Sequence, residues 1–153
     1  MKLLYVAAAM IFGLAASPSS QEIPIMVSPA DVKWGDASPA LPPGAKAALL
    51  SGDPKLEGPF VMRVKLPADY KVPPHFHPGN ENVTVLSGTF HAAMGDTFDA
   101  SKAKAMSAGS FLLLPAKNPH FVFTKEETII QVSASGPWTL TYVNPADDPR
   151  NKK

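Results

Sequence analysis

The chain holds four histidines, and two of them stand one residue apart in His75-Phe76-His77. On an extended backbone, residues two apart point to the same side, so both imidazoles can converge on one centre. Glu81 follows after Pro78-Gly79-Asn80, a stretch of turn chemistry that lets a strand restart with the carboxylate aimed inward. His120 comes much later, behind Pro115-Ala116-Lys117-Asn118-Pro119, at the head of an apolar run. Three neutral imidazoles and one carboxylate leave one negative charge to set against a divalent cation. Nitrogen and oxygen donors of this kind suit Mn, Fe, Zn or Ni. The chain has no cysteine, which removes thiolate ligands and cysteine nucleophiles together. The chemistry open to such a site is Lewis-acid activation, acidification of a bound water, or dioxygen binding where the metal is iron. A small bidentate oxygen ligand, such as a hydroxy acid or a diol, suits the positions that the protein leaves open.

Each of these residues also has a plainer reading, as a polar turn at the rim of a sheet. The joint spacing argues against it for His75, His77 and Glu81, and more weakly for His120, since Asn-Pro-His is itself a turn sequence. His91 lies between Phe90 and Ala92, and strand alternation directs it outward to a surface or structural role. Asp96 and Asp99 flank a turn at Gly95 and read as solvated. No residue beyond the ligands is assigned to catalysis, although Asn80, Asn82 and Asn118 stand close enough to orient them.

The elements that must carry these residues are short strands. In Phe60-Val61-Met62-Arg63-Val64-Lys65-Leu66, Arg63 and Lys65 share one face and the large apolar side chains the other, the period of a half-buried strand. Extended chain is expected over Lys71 to His77, with strands at Asn82–Leu86, Thr89–Met94, Ser110–Leu114, Phe121–Thr124, Thr128–Ala134 and Trp138–Val143. Ser87-Gly88 is a tight hairpin turn. Ala45 to Ser51 reads as a strand packed on the barrel, Ile25 to Trp34 as an entry segment with one short strand, and Asp99 to Met106 as holding a helical turn. Seventeen prolines in 153 residues fit many short strands joined by stiff turns. Phe60, Met62, Phe90, Met94, Phe111, Phe121, Phe123 and Trp138 form the expected apolar bulk.

These residues carry a resemblance to the cupin superfamily. His75, His77, Glu81 and Gly88 match the first cupin motif at its spacing, with Tyr70 in place of the leading glycine. Gly109, Pro115 and His120 match the second, with Lys117 in place of a glycine and Thr124 in place of an asparagine. The departures concern turns rather than ligands. The match runs from Phe60 to Val143 and implies a single-domain, all-β jelly-roll β-barrel. It further implies one divalent metal on His75, His77, Glu81 and His120, and often a homodimer. It leaves the reaction open, because one fold hosts many functions.

Lys2, the apolar run Leu3 to Ala16 and Ser17-Pro18-Ser19-Ser20 have the build of a secretory signal peptide. That run is short of the ~20 apolar residues of a bilayer span. The expected layout is a signal over 1–20, an arm packing on the barrel over 21–59, the barrel over 60–144 and a flexible tail over 145–153. Such a protein would work in the periplasm or outside the cell, with no membrane attachment once the signal is removed. The net charge of +1 gives no reason to expect a polyanionic partner, so nucleic acid is not expected. Two functions follow. One is a metal-dependent enzyme of dioxygenase, isomerase or lyase type acting on a small oxygenated molecule. The other is a metal or small-ligand binding or sensing module without turnover.

Overall fold

The computed structural model describes residues 23–152; the expected signal segment lies outside them. Eleven strands follow one another: β1 (Gly35–Asp36), β2 (Lys46–Ser51), β3 (Gly58–Leu66), β4 (Lys71–Phe76), β5 (Glu81–Ser87), β6 (Thr89–Met94), β7 (Lys104–Ser107), β8 (Phe111–Leu114), β9 (His120–Thr124), β10 (Thr128–Gly136) and β11 (Thr141–Tyr142). They form two antiparallel sheets, ordered β1-β2-β3-β10-β5-β8 and β11-β4-β9-β6-β7. This is the all-β jelly roll. Among the described residues no helix is long and apolar enough to cross a membrane.

Alternation along the strands builds the interior. Phe60, Val64 and Leu66 of β3, Val83 and Val85 of β5, and Ile130 and Val132 of β10 turn inward and are buried. Arg63 and Lys65 face outward, where the Arg63 guanidinium donates to Gln131 and the Lys65 ammonium stands over the Trp34 ring. Strand β9 differs, because all five of its residues are buried. Val122 joins the interior, while Phe121 and Phe123 face away from it and are covered by Phe98 and His91. His91 thus lies outside the barrel, its ring stacked on Phe123 with centroids 4.6 Å apart.

Several elements differ from their sequence pattern. The entry segment forms one turn of 3-10 helix at Pro29–Asp31 rather than a strand, since prolines at 24 and 29 interrupt any ladder there. The arm packs unevenly: Lys46–Ser51 joins the sheet, whereas Ile23, Ile25 and Met26 are exposed. Phe111 and Met94, expected in the apolar bulk, stand 59% and 42% exposed. On β8 it is Leu112 and Leu114 that turn inward, and an all-apolar Phe-Leu-Leu-Leu run does not reveal its phase. The tail forms 3-10 turns at Pro145–Asp147 and Pro149–Asn151, each capped by an acceptor side chain.

The β5–β6 hairpin turns at Gly88, whose φ is +72°. A Cβ there would lie 2.5 Å from the Glu127 carbonyl oxygen and 2.9 Å from Thr128 Cα. Gly88→Val therefore combines left-handed strain with a backbone clash. We expect it to cost about 3 kcal/mol and to lower the thermal midpoint by roughly 10 °C. Heat denaturation followed by circular dichroism checks it.

One side of the molecule is closed by a strap rather than a strand. Residues 37–45, between β1 and β2, leave the edge of the first sheet, reach β11 at the edge of the second and return. Two tyrosine hydroxyls hold it there: Tyr142 of β11 donates to the Ala40 carbonyl at 2.8 Å, and Tyr70 donates to the Pro42 carbonyl. Burial raises both phenols, with Tyr142 pushed up to about 12 by desolvation first and the nearby Asp148 second. They stay protonated, as donors must.

Candidate metal centre

The four residues singled out by spacing meet inside the jelly roll. His75 is on β4, paired in register with His120 at the start of β9. His77 follows the end of β4, and Glu81 opens β5. One ring nitrogen from each of His75, His77 and His120 lies within 4.8 Å of the others. The three imidazoles are 4%, 5% and 1% exposed. Glu81 Oε2 stands 3.4 Å from His77 Nε2 and 3.6 Å from His120 Nε2.

The orientation of each ring is fixed from behind. His75 Nδ1 meets the Pro73 carbonyl at 2.8 Å, His77 Nδ1 the Thr139 carbonyl at 2.8 Å, and His120 Nδ1 the Asn118 carbonyl at 3.1 Å. A carbonyl oxygen only accepts, so each Nδ1 carries a proton and in the neutral tautomer the lone pair is on Nε2. Two of these contacts repeat one local design. In Pro73-Pro74-His75 and Asn118-Pro119-His120 the imidazole donates to the carbonyl two residues back, with a proline between. Proline fixes its own φ and holds the residue before it extended, so the accepting carbonyl is presented rigidly. That X-Pro-His pair is visible in the sequence, independently of the ligand spacing.

Burial also sets the charge. Desolvation drives His75 well below the ordinary histidine range, and the neighbouring imidazoles of His120 and His77 push the same way. Desolvation lowers His77 as well, and outweighs the Glu81 carboxylate and the Thr139 carbonyl, which favour the charged ring. Neutral imidazoles are what a cation requires. The donor set fits one on a further count: His120 Nε2 is buried with no hydrogen-bond partner. Such an orphan is costly unless something shares its lone pair. Donors sharing one cation at about 2.1 Å stand roughly 3.0 to 3.4 Å apart; the 3.4 Å gap from Glu81 to His77 reaches that range and the 3.6 Å gap to His120 lies just above it.

Around the four residues, the Asn80 and Asn82 side chains serve the backbone rather than the rings, and Asn118 orients His120 through its main-chain carbonyl alone. Asn80 Oδ1 accepts from the Ala116 amide, tying the two ligand-bearing turns together, and Asn82 donates to the Ser133 carbonyl. Gln131 points outward to Arg63, and the Tyr142 hydroxyl is spent on the strap. Trp138 has a larger part than core packing. Its ring stacks on His77 with centroids 4.3 Å apart and planes 13° off parallel, and Phe60 meets it edge-on. The Trp138 amide donates to the Pro54 carbonyl at 2.7 Å. Gly136 nearby leaves room for that turn, since a Cβ would come within 2.2 Å of the Leu56 carbonyl oxygen. We expect Trp138→Ala to free the His77 ring and weaken zinc binding about tenfold, with Trp138→Phe restoring most of it. Zinc competition titration against a chromophoric chelator reads both.

A double-sheet jelly roll with this inward-facing histidine cluster is the architecture of a cupin. A profile of the ChrR cupin-like domain matches residues 22–139, and the chain belongs to that family. Solved structures agree in fold. The polyketide cyclase RemF from Streptomyces resistomycificus superposes with a TM-score of 0.69 at 19% identity, over 83% of this chain and 90% of that one. An RmlC-like cupin from Shewanella frigidimarina gives 0.55 at 16% identity, over 71% and 87%. The anti-sigma ChrR, solved with SigE from Rhodobacter sphaeroides, gives 0.53 at 21% identity, over 71% of this chain and 52% of that one. Curated protein sequences give no match.

Proposed function

We propose that this cupin binds one divalent transition metal, Mn, Fe, Zn or Ni, through His75, His77, Glu81 and His120. We propose further that it is a metal-dependent enzyme of dioxygenase, isomerase or lyase type acting on a small oxygenated molecule. The observation that supports this most directly is the set of three backbone-pinned imidazoles with lone pairs aimed at one buried point beside a carboxylate. A divalent ion bound there supplies Lewis acidity and lowers the pKa of a bound water. The chain's own part is to hold the three rings correctly turned, to keep His75 and His77 neutral by burial, to keep bulk water out with buried apolar walls, and to offer Glu81 Oε2 as the oxygen donor. Metal analysis of protein purified from its own compartment, followed by oxygen uptake with a panel of diols and keto acids, tests the reading. The expected result is about one equivalent of metal and turnover of at least one panel member. Protein that carries no metal, and takes up none on titration, would sink it.

One observation favours the alternative, a metal or small-ligand binding or sensing module. The remaining titratable side chains lining the cavity are Lys55 and Arg150, both exposed, so no buried acid or base waits beside the four residues. Ligand binding without any turnover would select this reading. The exported location, periplasmic or secreted, and the homodimer belong to the same proposal. Phe111 and Leu113 leave an apolar strip on the edge strand β8 that a second copy would cover. Light scattering on purified protein should give twice the chain mass.

A further inference from the structure

Behind the imidazoles lies a cavity of about 480 Å³. Its interior is faced by Met62, Val64, Val72, Phe90, Ile130 and Val132. Apart from the four site residues, the lining side chains with hydrogen-bonding groups are Trp138, whose indole stacks on His77 beside the site, and Ser38, Lys55, Thr139 and Arg150, the last four all exposed. Those four stand at the rim. Arg150 is further occupied there by Asp148 and the Leu140 carbonyl. Inward of the site a ligand therefore meets strand side chains made of hydrocarbon, whose backbone amides and carbonyls are largely taken by the sheets.

Those walls discriminate between chemical classes. A sugar or other polyol lodged against them would give up the hydration of each hydroxyl and find no acceptor in return. An alkyl or aromatic body would gain from every carbon it buries. Cavities that hold small molecules run from about 300 to 1,000 Å³, so this one suits a single ring with a short alkyl chain. We infer that the ligand is amphipathic, with an oxygen-bearing head at His75, His77, Glu81 and His120 and a hydrocarbon body inside the barrel. Placement of the head rests on the metal site proposed above; accommodation of the body does not.

The test uses catechol, 4-methylcatechol, 4-ethylcatechol and 4-butylcatechol as probes, with sorbitol as the polyol. Zinc binding to the purified protein is measured first. Calorimetric titration of the probes then follows on zinc-loaded and on metal-free protein, under nitrogen. The expected result is an affinity that rises up to about fourfold for each added methylene in both forms, and no binding of sorbitol. A flat series, or sorbitol binding comparable to butylcatechol, overturns the amphipathic class even where zinc binds. A rising series in protein that fails to bind zinc sustains the class and sinks the metal reading instead.

Discussion

Replacing His120 by alanine should weaken zinc binding by about 10²-fold or more while leaving the metal-free fold largely intact. Fully protein-ligated zinc sites are worth roughly 10 to 16 kcal/mol in total, so one of four ligands carries about 3 kcal/mol. His120 is the sharpest choice because its Nε2 is buried and has no partner of its own. Truncating the side chain opens a void, which destabilises, yet it also removes an unsatisfied buried nitrogen, which offsets part of the loss. The two effects separate in measurement. Competition titration reads the metal term, and the thermal midpoint of the chelator-treated protein reads the fold. A variant that holds zinc as tightly as the parent would show that His120 is not a ligand.

Acid should destabilise the metal-free protein, beginning near the unfolded histidine pKa. Burial lowers both His75 and His77 in the folded state, so between those depressed values and 6.5 the unfolded chain binds more protons than the folded one. Stability is then fully present above about pH 6.5 and is lost as the pH falls below it. Each group contributes a slope of up to about 1.4 kcal/mol per pH unit. Two such groups acting together would lower the thermal midpoint by up to about 8 °C between pH 6.5 and 5.5. His75→Gln removes one of them and should flatten the slope by about half. A midpoint that rises, or stays level, on acidification would contradict the buried neutral state assigned to these rings.

Much of the site is legible in the primary sequence because its information is local. His75 and His77 share a face through strand alternation, Glu81 follows one turn later, and His120 heads an apolar run behind a proline-rich turn. What escaped is long-range. Trp138 reads as one more core aromatic until β11 and the turn at Pro54 bring it flat against His77. Trp138 to Val143 reads as one strand, yet only Thr141 and Tyr142 form the ladder with β4, while the Thr139 carbonyl is turned to His77 and the Val143 amide donates to the Pro74 carbonyl. The misplaced Phe111 shows a different limit. Where every residue of a run is apolar, alternation carries no phase, and only the partner strand decides which side is wet.

The strap across the barrel's open side divides the labour of recognition among separate stretches of chain. The groups that would grip a ligand's head come from β4, β5 and β9, whereas Ala40 and Leu41, which meet its body, hang from two tyrosine hydroxyls on a segment outside the ladders. Substitutions in that segment can reshape the cavity while the coordinating corner stays untouched. A lineage of such proteins could therefore trade one hydrophobic cargo for another through a few loop changes, keeping its inorganic chemistry constant.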